Sequence, residues 1–529
     1  MKTHRDSNIR GLKRRGKLLS RYDGVIFSGN DSSKQPGNMY CYRGIGPYRL
    51  RTVAEKSGYK IKIIDFSDNL SKSELLQLID RYVDQNCLFL GVSTTFLGRN
   101  SFETIMASEI LGRAKSISPK IQIVSGGAYS LLFAHGSVDW YVKGYADVAF
   151  PALLDYFTGK SHSIKSAMLS LPEKPWIKGK VVDGDKDYPL LDCSDLMTKW
   201  LPEDGIKSYE ALPIEIARGC IFRCAFCSYP VNGKKKFDYI RSKENLLTEL
   251  RRNYELYGVQ HYGFMDDTYN DSEFKMNQMQ ATFKELDFKV KFSSFIKPEL
   301  LVTWPHHVDL LLESGLEGSC HGIESFHPKT RQTIRKGKDL ESMFAAIEKL
   351  AKGGVGTQGS FIVGLPHEPI ESCQKTHDWL KANTHILNTV SWFGLEIKVP
   401  TASGYVSEID REPAKYGYRL HVQSERSILW ENDHMNAKIA DQLAQKFDND
   451  FQQIGKIGGW HPAMLRSMKI VDVDTAKKNG ALRSSIKSKD LFASRQEFTD
   501  EYLRLQLEVS RPTSEAPIDH PYTPSTEVR

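Results

Sequence analysis

Residues 214–230, IEIARGCIFRCAFCSYP, set three cysteines in C-x3-C-x2-C spacing directly behind a short apolar run. Such a run reads as a buried strand, so the cysteines fall on the loop at its end. A loop of this kind can wrap three thiolates around one [4Fe-4S] cluster and leave one iron without a protein ligand, open to chemistry. Structural zinc wants four ligands, and the loop offers no fourth Cys or His. Plain buried thiols leave unexplained why Phe222 and Phe226 alternate with the cysteines, as an apolar sheath would. Cys220, Cys224 and Cys227 are therefore expected to hold an iron–sulfur cluster, and the fold must bring a strand end to an open, reachable place.

That strand belongs to a longer rhythm. Between residues 206 and 405 apolar runs recur at the spacing of β/α units, at 213–217, 262–266, 291–295, 318–322, 359–363 and 394–399. Six parallel units make a partial barrel. Residues 24–160 carry a separate α/β rhythm, with strands expected at 24–28, 60–65, 88–93, 121–125 and 140–143 and helices at 48–57, 73–85 and 102–116, a Rossmann-like doubly wound unit. Residues 161–205 lose the rhythm and read as a connecting segment. Residues 406–510 turn to mixed helix, notably 434–454, and should cap the barrel's open side, with Trp430, His434, Trp460 and His461 as candidate substrate contacts, for each of which core or surface packing is the stronger reading. Residues 511–529, rich in Pro and Ser, read as a disordered tail.

Composition excludes several classes. With 40% hydrophobic and 26% charged residues the chain is an ordinary globular one rather than disordered or fibrous. Its length of 529 residues suggests two or three domains. Eight cysteines spread over that length do not make a disulfide scaffold. No apolar run approaches the length of about twenty residues that a bilayer span needs, and the first residues lack the apolar core of a signal peptide, so a cytoplasmic protein is expected. Much of the net charge of +7 lies in residues 1–23, a basic arm that reads as solvated, with an acidic partner as the rival reading.

The cysteine spacing, with an aromatic residue inside it, resembles the radical S-adenosylmethionine superfamily, and further landmarks follow in order. GFMDDTYND resembles the family's second-strand motif, which implies that Asp266 and Asp267 meet the amino group of bound S-adenosylmethionine; capping of the next helix is the rival role. SCHGIESFHP resembles the fourth-strand motif and implies contacts from Glu324 and Ser325. GSFIVGLPHEP resembles the fifth, with Gly359, Ile362 and Gly364 cradling adenine, although His367 stands where the family often has Gly. EIKVPTASG resembles the end of the sixth strand and implies that Val399 lies near the adenine.

A Rossmann-like domain ahead of this core resembles the cobalamin-binding subclass. The resemblance implies that cobalamin sits beyond the strand ends, against Ser93, Thr94 and Thr95, Gly126 and Gly127, and the turn that begins at Gly144. Tyr145, Ala146 and Asp147 replace the subclass's polar turn, and no D-x-H-x-x-G occurs. Methyl transfer to an unactivated carbon is the expected reaction, served by an electron donor such as flavodoxin or ferredoxin. Rivals are a non-methylating radical enzyme (cyclisation, ring contraction, oxidation or methylthiolation) and a non-enzymatic cluster sensor or scaffold. The substrate, a small molecule, peptide or nucleic acid, stays open.

Overall fold

The protein is described as a computed structural model, covering residues 22–29, 43–170, 176–189, 191–228, 238–398, 406–424, 427–454 and 488–508. Two parallel sheets organise it. The first is seven-stranded, in the order β2-β1-β3-β4-β5-β7-β6. Its strands are β1 (Gly24–Phe27), β2 (Ile61–Ile64), β3 (Phe89–Ser93), β4 (Gln122–Gly126), β5 (Trp140–Lys143), β6 (Ala167–Met168) and β7 (Lys180–Asp183). β1 and β2 are buried at every position, as strands covered by helices on both faces must be, which is why GVIF and IKII read as unbroken apolar runs apart from one Lys. The helix Lys72–Tyr82 starts at a capping box in which Ser71 Oγ accepts from Glu74 N and Glu74 Oε2 accepts from Ser71 N.

Two features differ from the sequence expectation. The helix expected at 102–116 is two helices, Arg99–Ile105 and Ser108–Ile117, parted at Ala107, whose backbone is extended. The segment expected to be a mere connection supplies β6 and β7. β7 pairs in parallel with β5 through Trp140↔Lys180 to Lys143↔Asp183, and β6 pairs antiparallel to β7. Short edge strands carry too little periodicity to be seen in sequence, because half of such a strand faces solvent.

The second sheet has six parallel strands in sequential order, β8 (Ala211–Ile214), β9 (His261–Phe264), β10 (Lys291–Phe295), β11 (Leu316–Glu324), β12 (Gly356–Val363) and β13 (Thr389–Gly394). It is the expected partial barrel. β13 lies five residues ahead of the expected 394–399, because Val390 and Trp392 supply its buried face and Leu395 N makes the last ladder bond, to Val363 O. The hairpin β14 (Arg419–Ser424) and β15 (Ser427–Glu431) and the helix Ala437–Gln453 pack beside β12 and β13, where Trp392 N donates to Asp448 Oδ1 at 2.9 Å.

The helix Ser488–Glu508 does not cap the barrel. It returns to the first sheet, where Phe498 and Tyr502 pack edge-on against Phe66 and Asp65 N donates to the Tyr502 hydroxyl. Among the described residues no helix is long and apolar enough to cross a membrane.

Candidate active site

Parallel strands deliver every following loop to one edge of their sheet, the carboxyl edge. The cysteine loop leaves β8 there. Its entry is fixed by a bridge between Ala217 and Ile240 and its exit by Ala225 N donating to Ile334 O and Ile409 N donating to Ala225 O. Cys220 is buried and Cys224 and Cys227 are half-buried. Burial pushes the Cys220 thiol up, while Thr268 Oγ1, 3.3 Å from its sulfur, opposes the shift. A metal must therefore displace that proton on binding. Cations flank the loop, with Lys297 Nζ 4.7 Å from the Phe222 ring centroid and Lys336 Nζ 5.7 Å from that of Phe226. Three thiols on one loop beside two ammonium groups fit an anionic thiolate-bound cluster.

The two aspartates behind β9 divide their work. Asp266 is buried in an ion pair, with Lys275 Nζ donating to its Oδ2 at 2.8 Å and Thr268 N to its Oδ1 at 3.1 Å. Asp267 instead lines the central cavity, and burial, followed by the neighbouring Asp266 charge, lifts its carboxyl to about 7. A bound ammonium would restore its charge.

Glu324 ends β11 in the left-handed region, φ 69°, an uncommon setting for a non-glycine residue. Its carboxylate stands 3.4 Å from Lys336 Nζ. A Cβ on Gly322 would come within 2.4 Å of Glu324 Oε1, so glycine there keeps room for that carboxylate. Ser325 Oγ donates to Glu368 Oε1 at 2.7 Å, and burial raises Glu368 to about 7.

On β12 the alternation of faces separates the expected adenine contacts. Ile362 is half-buried and shares its face with Gln358 and Ser360. Gly359 lies on the other face, where a Cβ would meet Leu387 at 2.6 Å and Phe361 at 3.1 Å. Gly364, φ 97°, is packed against Trp430, and its carbonyl accepts from the Tyr418 hydroxyl at 2.7 Å. Both glycines thus have packing reasons of their own. Trp430 is buried, its Nε1 donating to Leu395 O, which is a packing role, and His434 is exposed. Val399, Trp460 and His461 lie outside the described residues.

The carboxyl edges of the two sheets face one another across a cavity of about 350 Å³. That is the size range of small-molecule sites. Ser93, Thr95, Gly126, Gly127 and Gly144 line it from the first sheet, and Glu215, Ala217, Arg218, Met265 and Asp267 from the second. Thr94 does not. It is fully buried and bonds Gly126 O through both its N–H and its hydroxyl, stapling β3 to β4. Gly127 has φ 97°, and a Cβ on it would stand 2.6 Å from Thr95 Oγ1 and 2.8 Å from Thr95 N. At Gly126 the nearest atom would be 3.6 Å away, so a side chain has space only by entering the cavity wall. Small residues over an apolar floor of Ile26, Phe89 and Val124 suit one face of a mostly apolar group with a polar rim such as a corrinoid, the bulk of which would extend out of a cavity of this size.

A chain of charges that the sequence did not reveal joins the two edges. Asp147 accepts from Arg218 at 2.5 Å and from Arg49 at 2.6 Å, and Arg218 also forks onto both oxygens of Glu215 at 2.6 and 2.8 Å. Asp147, expected only as part of a ligand turn, is thus the junction's anion. The clue available in sequence was Arg218 itself, two residues before the first cluster cysteine. Phe96 is an exposed ring in the cavity wall, and the exposed rings of Phe295 and Phe393 stand at the carboxyl ends of β10 and β13.

Residues 214–380 match the family model described as the radical SAM superfamily. A methyltransferase of Pyrococcus horikoshii, named as uncharacterized, is 25% identical over 348 residues, covering 61% of this chain and 70% of its own. The bacteriochlorophyllide d C-12(1)-methyltransferase of Chlorobaculum tepidum is 29% identical over 34% of this chain, which spans only 39% of that enzyme's length. Among solved structures, the cobalamin-dependent S-adenosylmethionine radical enzyme OxsB, with aqua-cobalamin and S-adenosylmethionine bound, superposes with a TM-score of 0.60 at 12% identity, covering 91% of this chain and 80% of its own. That likeness is one of fold.

Proposed function

We propose, from the match of residues 214–380 to the radical SAM superfamily model, that the chain is a radical S-adenosylmethionine enzyme that methylates an unactivated carbon with a [4Fe-4S] cluster, S-adenosylmethionine and cobalamin bound. The observation that carries this reading is the cavity shared by both carboxyl edges, where a corrinoid on the first sheet would face the cysteine loop of the second. When bound, the cluster supplies the electron that cleaves S-adenosylmethionine to start radical chemistry, and cobalamin supplies the methyl group.

The chain's own residues bind, orient and enclose. Cys220, Cys224 and Cys227 hold three irons. The Asp267 and Glu324 carboxylates accept from the substrate ammonium or ribose hydroxyls of S-adenosylmethionine, and Ile362 packs beside its adenine. Ser93 and Thr95 offer hydroxyls to corrin amides above the glycine wall. Arg218, Asp147 and Arg49 fix the distance between the sheets, and the exposed ring of Phe96 in the cavity wall meets an apolar face of the substrate while displacing water. The methyltransferase names of two relatives support the reaction, and a small redox protein such as flavodoxin or ferredoxin is the proposed electron donor.

The test is the metal content of protein purified without oxygen from cells given cobalamin and then reconstituted. One cobalt beside four irons is expected, with methylated product on substrate screening. Four irons without cobalt would overturn the methyl-transfer reading and leave a radical enzyme of another reaction type. Gly126→Leu should empty the cobalamin site while leaving iron unchanged, which separates the two cofactors.

A further inference from the structure

We propose that Glu273, His306 and His307 form a divalent transition-metal site, of the type that takes Zn2+, on the flank of the partial barrel. Glu273 opens the helix Glu273–Lys284 behind β9, and the two histidines open the helix His307–Glu313 ahead of β11. One ligand atom from each lies within 4.8 Å of the others. Glu273 Oε1 stands 2.9 Å from His306 Nε2 and 3.3 Å from His307 Nε2. Zinc bonds of about 2.0–2.1 Å imply a ligand-to-ligand edge of about 3.3 Å in a tetrahedron, so the two edges that meet at Glu273 already stand at nearly the spacing an ion imposes.

His307 is the observation that points to an ion. Its side chain is 0% exposed, and neither ring nitrogen makes a hydrogen bond, although Glu273 Oε1 stands 3.3 Å from Nε2. Buried polar atoms are nearly always satisfied, and one that is not calls for an ion or a water. The ring is held in place by Trp304 and His306, at centroid distances of 5.0 and 4.8 Å. A simple ion pair between His306 and Glu273 leaves both His307 nitrogens unexplained.

Two imidazoles and one carboxylate suit zinc or cobalt rather than magnesium or calcium. The solvent side, with His306 61% and Glu273 40% exposed, admits a water as fourth ligand. The ion would clamp two helices on the outside of the barrel. Glu273 is also two residues from Asp271 and Lys275, whose ion pair, together with the Lys275–Asp266 pair, secures the loop behind β9.

The experiment counts zinc in the cluster-loaded full chain and, in parallel, in the C220A/C224A/C227A chain, where the cluster cysteines cannot capture it. One equivalent is expected in each, held against a competing chromophoric chelator. Because His307 is buried, the variants are the exposed E273Q and H306A, each expected to weaken zinc binding by more than about tenfold. Co2+ should give the weak bands of nitrogen and oxygen ligands without a thiolate charge-transfer band. No zinc in either parent chain, binding unchanged in both variants, or a thiolate band in the C220A/C224A/C227A chain would each overturn the site.

Discussion

At Arg218 charged groups meet with almost no water. Its guanidinium, 7% exposed, is shared between Asp147 and Glu215, and Asp147 in turn is shared with Arg49. Removing one partner from such a set leaves an uncompensated buried charge, worth about 3–5 kcal/mol. Arg218→Ala and Asp147→Asn should therefore destabilise the chain by that amount in denaturant titrations and also lower cobalamin occupancy. A change under about 1 kcal/mol would show that the junction does not depend on these charges. The pH response follows from the same contacts. Burial opposes ionisation of Asp147, but Arg218 and Arg49 prevail and hold its carboxyl at about 2, below the ordinary 3.8. Its stabilisation is present above about pH 4 and is lost as pH falls toward 2.

Within the elements, β11 carries the clearest titration. His321 lies fully buried on the outward face, with Nε2 2.9 Å from Ser319 Oγ and Nδ1 3.2 Å from Ile296 O. Burial depresses the imidazole to about 4, against an ordinary 6.5. The neutral ring therefore stabilises the barrel fully above about pH 6.5, and this is lost as pH falls toward 4, at about 1.4 kcal/mol per pH step. His321→Gln should flatten the acid limb of a stability–pH curve measured by thermal melting; an unchanged limb would place the acid sensitivity elsewhere. β12 shows why single residues mislead at this scale. Gly359 and Ile362 sit in one apolar strand, yet alternate faces send one into the helix layer and leave the other on the opposite side.

Across the whole molecule the helix Ser488–Glu508 ties the far end of the chain to the first sheet. Arg43, paired with Glu210 at 2.8 Å, lies within 5.4–5.9 Å of the Phe66, Phe498 and Tyr502 ring centroids, so sequence positions more than 450 apart share one cation and its aromatic box. Tyr502→Phe leaves Asp65 N without its acceptor and should cost about 1–3 kcal/mol. Ending the chain before residue 488 should lower the melting temperature of the first sheet's unit more than that of the barrel, read by hydrogen exchange in β2 against β12. Equal loss in both would mean that the two units unfold as one.

Sequence by itself determined the two α/β units, nearly all their strands and the cysteine loop, because apolar period and cysteine spacing are local and need no partner to be read. The residues around the cofactor spaces were named as types at strand ends, since parallel strands send every such loop to one edge. Tertiary structure alone decided which of them face the gap. Asp267 lines it while Asp266 is spent on Lys275, Thr95 lines it while Thr94 staples two strands, and Asp147 became the hinge of a charge chain. It also decided that β7 extends the first sheet and that the last described helix packs there rather than on the barrel. Those outcomes depend on pairings between residues far apart in the chain, and burial and charge at a position are set by what the fold brings against it.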